Sequence, residues 1–123
     1  MNALTQARRA YSAASTPIRT PRNMEYEAIS RITHRIHSAA KKGNSAYGEL
    51  VEALYDNNRM WTVFATEVAN AENGLTSQLR AQLFYLAEFT HDHTSKVLRR
   101  EANVIPLLEI NAAIMRGLRS GAA

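Results

Sequence analysis

Two histidines flank an aspartate in the segment AEFTHDHTSKVL (residues 87–98), which makes this segment the first candidate for metal binding. On metal-binding helices the ligands are usually three or four residues apart, so that they share one face. At about 100° per residue, His91 and His93 lie about 200° apart around a straight helix. They cannot both turn toward one ion, so we expect no metal site in this segment.

The other two histidines, His34 and His37, are three residues apart and lie on neighbouring rows of one helix. A metal site that joins them to His93 or Glu88 across a bundle is an alternative. Two arginines beside them would repel a cation, however. We therefore expect all four histidines to be surface residues or to be satisfied by hydrogen bonds, with no metal bound.

Two carboxylates of the same segment are the best candidates for catalysis, since Glu88 and Asp92 are spaced like a general acid and base on one helix face. A simpler interpretation is that Asp92 and Lys96 form an exposed ion pair and that Glu88 faces solvent. The sequence has five glycines and no cysteine, and it contains no nucleophile elbow, P-loop or dinucleotide-binding turn. We expect a protein that is not an enzyme and that uses no cofactor and no small-molecule substrate.

The chain has the length and composition of one globular domain, with 123 residues, 46% of them hydrophobic and 21% charged. No apolar run approaches the roughly 20 residues needed to cross a bilayer. The N-terminus lacks the apolar section of a signal peptide. We expect a cytoplasmic protein that does not bind membranes, and the lack of cysteine agrees with a reducing compartment.

Positive charge is concentrated at the N-terminus. Residues 1–42 contain eight Lys or Arg against two Glu, a balance of +6, whereas residues 43–123 contain seven against nine acids, a balance of −2. Prolines at positions 17 and 21 interrupt helix formation. We expect residues 1–22 to form a basic arm that is mobile or is ordered by a partner, attached to a single domain.

Apolar residues recur at helical spacing along nearly the whole chain, which predicts an all-α fold, a small bundle of about four to five helices. The predicted helices are a short one at residues 3–14, one from Asn23 to about Lys42, one from Tyr47 to about Ala71, one beginning at Thr76 or Ser77, and one from about Pro106 to Gly121. Asn57 is the strongly polar member of the second long helix's apolar series. It marks either a kink or a buried amide that fixes register, and we favour a nearly continuous helix.

The predicted helix that carries His91 and His93 has more apolar surface than packing against one neighbouring helix requires. Its predicted buried stripe is Leu79, Leu83, Leu86, Thr90, His93 and Val97. The segment LFYLAEF (residues 83–89) adds aromatic residues outside that stripe. Either this helix is the centre of the bundle, or one side of it forms a groove for a partner helix.

Several segments together resemble one protein family. They are RTPRNMEYEAISRITHRI, LYDNNRMWTVFATEVA, LRAQLFYLAEFTHDH and LEINAAIMRGLR, preceded by ARRAY, and they occur in this order over residues 1–119. This combination resembles the flagellar biosynthesis regulator FlaF of alphaproteobacteria. The resemblance implies a small cytoplasmic protein that promotes flagellin production and export and that acts opposite to the flagellin repressor FlbT.

Two hypotheses for the mechanism follow. In the first, the protein is an export chaperone or adaptor that holds an amphipathic helix of flagellin in an apolar groove. Its candidate residues are Trp61, Phe64, Phe84, Tyr85 and Phe89 for the wall, and Arg59, Glu88 and Arg116 for the rim. In the second, the basic N-terminal third binds flagellin messenger RNA through Arg8, Arg9, Arg19, Arg22, Arg31, Arg35, Lys41 and Lys42. FlbT is a further candidate partner.

Overall fold

The computed structural model describes residues 26–70 and 76–122, and this part of the chain is helical and contains no strand. Its four α-helices are α1 (Tyr26–Lys42), α2 (Tyr47–Ala69), α3 (Ser77–Leu98) and α4 (Ile105–Ala122). The predicted all-α class is therefore confirmed. The predicted helix at residues 3–14 and the basic arm at residues 1–22 lie outside the described residues.

Helix α1 ends where the sequence predicts. Gly43 has a φ of +79°, in the left-handed region that glycine adopts without a steric cost. Lys41 and Lys42 occupy the last turn, where positive charge interacts favourably with the helix dipole. A short 3₁₀ turn, Gly43–Ala46, then reverses the chain into α2.

The end of α3 is capped by a residue that rarely adopts the required conformation. Arg100 has a φ of +63°, in a position that glycine usually occupies at helix ends. The N–H of Arg100 donates to the carbonyl of Val97 at 3.0 Å, and the N–H of Glu101 donates to that of Lys96 at 2.8 Å. These two bonds form a Schellman motif, which directs the chain into the connection to α4.

Helix α4 begins close to the predicted start. The side chain of Asn103 accepts a hydrogen bond from the N–H of Ile105 at 2.9 Å, and Pro106 follows in the first turn, where its missing N–H has no consequence. The predicted end at about Gly121 is also close, since the helix ends at Ala122.

The helices form a bundle in which α2 packs against α1 and α3, and α4 packs mainly against α1. Helix α3 approaches α4 closely at few backbone positions. The main core cluster joins all four helices through residues such as Ile29, Trp61, Leu86 and Ile114. A second cluster, which includes Ile36, Leu54 and Leu107, lies toward the end where α3 connects to α4. Neighbouring α1, α2 and α3 are antiparallel, so α1 and α3 begin at the same end of the bundle.

The sequence predicts the interior of α2 well. The helix runs without interruption through Asn57, which is fully buried, so the preferred interpretation of a continuous helix is confirmed. In α3 the prediction was wrong at one position. Thr94 is buried where His93 was expected, and His93 is only half-buried.

Candidate partner-binding surface

Trp61 and Phe64, two predicted wall residues of a groove, lie in the core. Trp61 is 0% exposed and Phe64 is 1% exposed. Their rings meet edge to face, with centroids 5.7 Å apart and an interplanar angle of 80°. A partner cannot contact either ring in this closed bundle, so both residues act in packing here.

Trp61 is also part of a buried hydrogen-bond network centred on Asn111. The indole N–H of Trp61 donates to Asn111 Oδ1 at 3.0 Å. Asn111 Nδ2 donates to Asn57 Oδ1 at 2.8 Å and to Thr33 Oγ1 at 3.1 Å. The Thr33 hydroxyl in turn donates to the carbonyl of Ile29 at 2.6 Å.

The orientation of each amide in this network is determined by its neighbours. An indole N–H can only donate, so Asn111 must present its oxygen to Trp61 and its amino group to Asn57. Asn57 must then present its oxygen, which leaves Asn57 Nδ2 without a partner among the described residues. The network fixes α4 against α1 and α2. The sequence pattern identified Asn57 but gave no signal for the contact with Asn111.

Helix α3 carries two neighbouring exposed aromatic residues; Tyr26 on α1 and Tyr55 on α2 are also exposed. Phe84 is 39% exposed and Tyr85 is 48% exposed. Ala81, Glu88 and Asp92 are exposed on the same side of the helix. We call these five residues the α3 strip; its first half is apolar and its second half is acidic.

The contacts of α3 show how the two aromatic rings are placed. His91 bonds to Thr62 of α2, and Phe84 lies two turns before His91 on that same side. Tyr85 lies one turn before Phe89, which stacks on His93, and His93 bonds to the segment preceding α4. The rings therefore stand at the two edges of the strip, with Ala81 and Glu88 between them.

Phe89 has a mixed role. It packs partly against the core and stacks on His93, with ring centroids 5.4 Å apart and an interplanar angle of 13°. Only part of its ring is available to a partner, because the residue is half-buried. Phe89 lies one turn after Tyr85, at the same edge of the α3 strip.

The predicted rim residues lie on three different helices. Glu88 belongs to the α3 strip, whereas Arg59 lies on α2 and Arg116 on α4, and both arginines are exposed. The guanidinium of Arg59 lies 5.9 Å from the ring centroid of Tyr55, also on α2. Helix α3 therefore carries Phe84, Tyr85, Glu88 and the exposed edge of Phe89. The two predicted rim arginines belong to other helices.

The histidines make separate contacts. His91 Nδ1 lies 2.8 Å from the carbonyl of Ala87, and its Nε2 lies 3.0 Å from the hydroxyl of Thr62. His93 Nε2 donates to the carbonyl of Asn103 at 2.7 Å. Within residues 26–70 and 76–122, no group of three His, Asp or Glu side chains is placed to hold a metal ion.

Charged side chains near the surface are partly paired. Arg35 binds Asp56 at 2.7 Å and Lys42 binds Glu49 at 3.2 Å, so two of the predicted RNA-binding cations contact carboxylates. Arg31 and Lys41 are exposed on α1. The four arginines of the basic arm lie outside the described residues.

The ion pair predicted between Asp92 and Lys96 is not among the ion pairs found in the described part of the chain. Both residues are exposed. None of the described helices is long and apolar enough to span a bilayer.

Residues 7–118 match the family model described as Flagellar protein FlaF. The match spans α1, α2, α3 and most of α4, and it also includes residues 7–25, which precede α1. No curated protein and no solved structure matches the chain.

Proposed function

Because the chain belongs to the FlaF family of flagellar proteins, we propose that it binds flagellin in the cytoplasm as an export chaperone or adaptor and so promotes flagellin synthesis and secretion. The α3 strip is the binding surface in this proposal. The observation that carries it is the exposure of Phe84 and Tyr85 on a helix whose core contacts are made by other residues.

The composition of the α3 strip suits an amphipathic helix. The small side chain of Ala81 lies between the two aromatic rings and lets another helix approach closely. Phe84 and Tyr85 then provide large apolar anchors, and Glu88 and Asp92 provide polar contacts that set direction. Apolar residues of the partner would lie toward the first half of α3, and basic residues toward the second half.

The exposed area of the two aromatic rings limits the binding free energy that the α3 strip contributes. An aromatic side chain buries roughly 150–250 Å², so the exposed parts of the two rings supply about 200 Å² together. At about 25 cal/mol per Å² this is about 5 kcal/mol before the costs of association. The rings are therefore the centre of an interface that must include further contacts, of which the exposed edge of Phe89 is the nearest.

The test compares flagellin binding by three forms of the full chain in isothermal titration. We expect the double variant Phe84→Ala/Tyr85→Ala to bind flagellin at least about tenfold more weakly, a loss of about 1.4 kcal/mol or more. Tyr55→Ala is the matched control, since it removes an aromatic side chain that is 61% exposed on α2. Thermal unfolding of each form verifies that the bundle is intact.

Three results are informative. Loss of binding in the double variant alone supports the proposal. Equal binding by all three forms removes the α3 strip from the interface. If the wild-type chain binds flagellin messenger RNA in a salt-dependent manner and does not bind flagellin, the chaperone proposal is wrong.

A further inference from the structure

The α3 strip has a candidate occupant within the same chain. We propose that residues 3–14 dock on the α3 strip as an amphipathic helix when no partner is bound. The N-terminal segment would then cover the surface that the proposed function assigns to flagellin. The docking itself does not depend on that function, whereas its regulatory consequence does.

The sequence of this segment has the required pattern. Leu4, Ala7, Tyr11 and Ala14 are spaced by three or four residues, which places them on one face of a helix. Arg8 lies at the edge of this face. A helix of this composition offers a small apolar face bordered by positive charge.

The charges of the two surfaces are complementary. Residues 1–22 contain four arginines and no acidic residue. On the α3 strip, Glu88 and Asp92 are exposed, and neither forms an ion pair with a described residue. An apolar contact with Phe84 and Tyr85 would therefore be accompanied by attraction between arginines and these two carboxylates.

The geometry of the bundle permits the contact. Helix α1 begins at Tyr26, at the same end of the bundle as the first turns of α3. The link from Ala14 to Tyr26 can extend to about 40 Å at 3.3–3.6 Å per residue. This reach exceeds the distance across a small bundle, where each helix is about 10–12 Å wide.

A second copy of the chain fits the strip less well. The exposed aromatic area of about 200 Å² is far below the roughly 800 Å² that each partner of a stable dimer buries. A parallel pairing of two α3 strips would bring the acidic residues of both copies close together, and an antiparallel pairing would place them against the apolar half of the other copy. An intramolecular contact needs less area, because a short link gives an effective concentration in the millimolar range.

The family match supports the inclusion of this segment in the domain. It begins at Ala7, within the predicted N-terminal helix and well before α1. If the segment occupies the strip, flagellin must displace it, so free protein and bound protein differ in the position of the arm. Flagellin would then bind the chain less tightly than it would bind an uncovered α3 strip.

The test uses cross-linking of the full chain, which has no native cysteine. A variant with Ala7→Cys and Ala81→Cys is treated with a short bismaleimide, which tolerates differences in helix register. The control carries Ala7→Cys and Arg31→Cys. Arg31 is exposed on α1 near the same end of the bundle, so a freely moving arm reaches it at least as easily as Ala81.

We expect the Ala81 pair to form an intrachain cross-link at least about fivefold faster than the Arg31 pair. Adding Tyr11→Asp to the Ala81 pair should reduce the rate to that of the control, because an acidic residue then faces the apolar strip. Equal rates for the two pairs overturn the proposal. Cross-links that appear mainly between two chains on a denaturing gel also overturn it, in favour of a dimer.

Flagellin is absent from this first measurement, so the docking and the proposed function can fail separately. Saturating flagellin should lower the rate of the Ala81 pair to the control rate, since both occupants use the same surface. An unchanged rate in the presence of bound flagellin shows that the two surfaces differ, and removes the regulatory consequence.

Discussion

Replacement of Asn111 by leucine tests the buried network at its centre. Asn111 is 1% exposed and contacts three side chains, on α1 and α2. Leucine has the same branching at Cγ and a larger volume, so the substitution removes the polar contacts without leaving a cavity. The Trp61 indole N–H and Asn57 Oδ1 then lose their partners inside the core. Thr33 is affected less, because its hydroxyl still donates to a backbone carbonyl.

The expected cost follows from these two buried polar groups. Each buried donor or acceptor that loses its partner costs about 1–3 kcal/mol. We expect Asn111→Leu to lower the free energy of unfolding by about 3–4 kcal/mol. This is a large part of the total stability of a small domain, which is about 5–15 kcal/mol.

The assay is urea unfolding followed by circular dichroism, with the slope of the transition compared to verify two-state behaviour. Asn58→Leu is the matched control. The hydroxyl of Thr94 lies 3.2 Å from Asn58 Oδ1 and 2.7 Å from the carbonyl oxygen of Thr90, and its single hydrogen favours the nearer carbonyl. We expect this control to lose less than about 1 kcal/mol.

A double-mutant cycle with Trp61→Phe isolates the indole contact. If the 3.0 Å bond is present in solution, the two substitutions together cost less than the sum of the separate costs, by at least about 1 kcal/mol. Additive effects, or an Asn111→Leu variant within about 1 kcal/mol of the wild type, would refute the network as a source of stability.

Three further predictions concern the surface and the helix ends. Stoichiometric Zn²⁺ should leave the melting temperature unchanged, since His91 and His93 have separate partners, and a rise of several degrees would contradict this. Arg35→Ala should cost less than about 1 kcal/mol in urea unfolding, because the pair with Asp56 is about 40% exposed on both sides, and a larger loss would show that the pair is structural. Arg100→Gly should change the free energy of unfolding by less than about 1 kcal/mol, as measured by calorimetry. The substitution relieves the left-handed φ of Arg100, and it also removes the contact of the guanidinium with the ring of Tyr47, 5.1 Å from the ring centroid, so the two effects offset each other.

The sequence predicts the helices well because their ends carry strong local signals. Gly43 stops α1, and Pro106 marks the first turn of α4. Arg100 gives no such signal, since its left-handed conformation depends on the Schellman bonds and not on its residue type. The sequence therefore predicts helix ends that are marked by glycine or proline. It misses a helix end such as that of α3, where an ordinary residue adopts the left-handed conformation.

The error at His93 has a geometric cause. The predicted stripe on α3 repeated every seven residues, from Leu79 through Leu86 to His93. A straight α-helix turns about 20° away from such a repeat in each heptad. Over two heptads this rotation brings Thr94 into the core and moves His93 to its edge. The other row of the predicted stripe, Leu83, Thr90 and Val97, stays buried, so the error is confined to the row that ends at His93.

The candidate surface was harder to predict than the fold, because large apolar residues indicate burial and binding alike. Trp61, Phe64, Phe84 and Tyr85 have similar side chains, yet the first two are in the core and the last two are exposed. Helical spacing distinguishes them only when the position of the neighbouring helices is known. In α3, Leu83 and Leu86 fill the core and α4 approaches at few positions, so the bundle does not require the aromatic residues between them. Exposed aromatic residues that packing does not explain are the ones for which binding is the simplest physical reason.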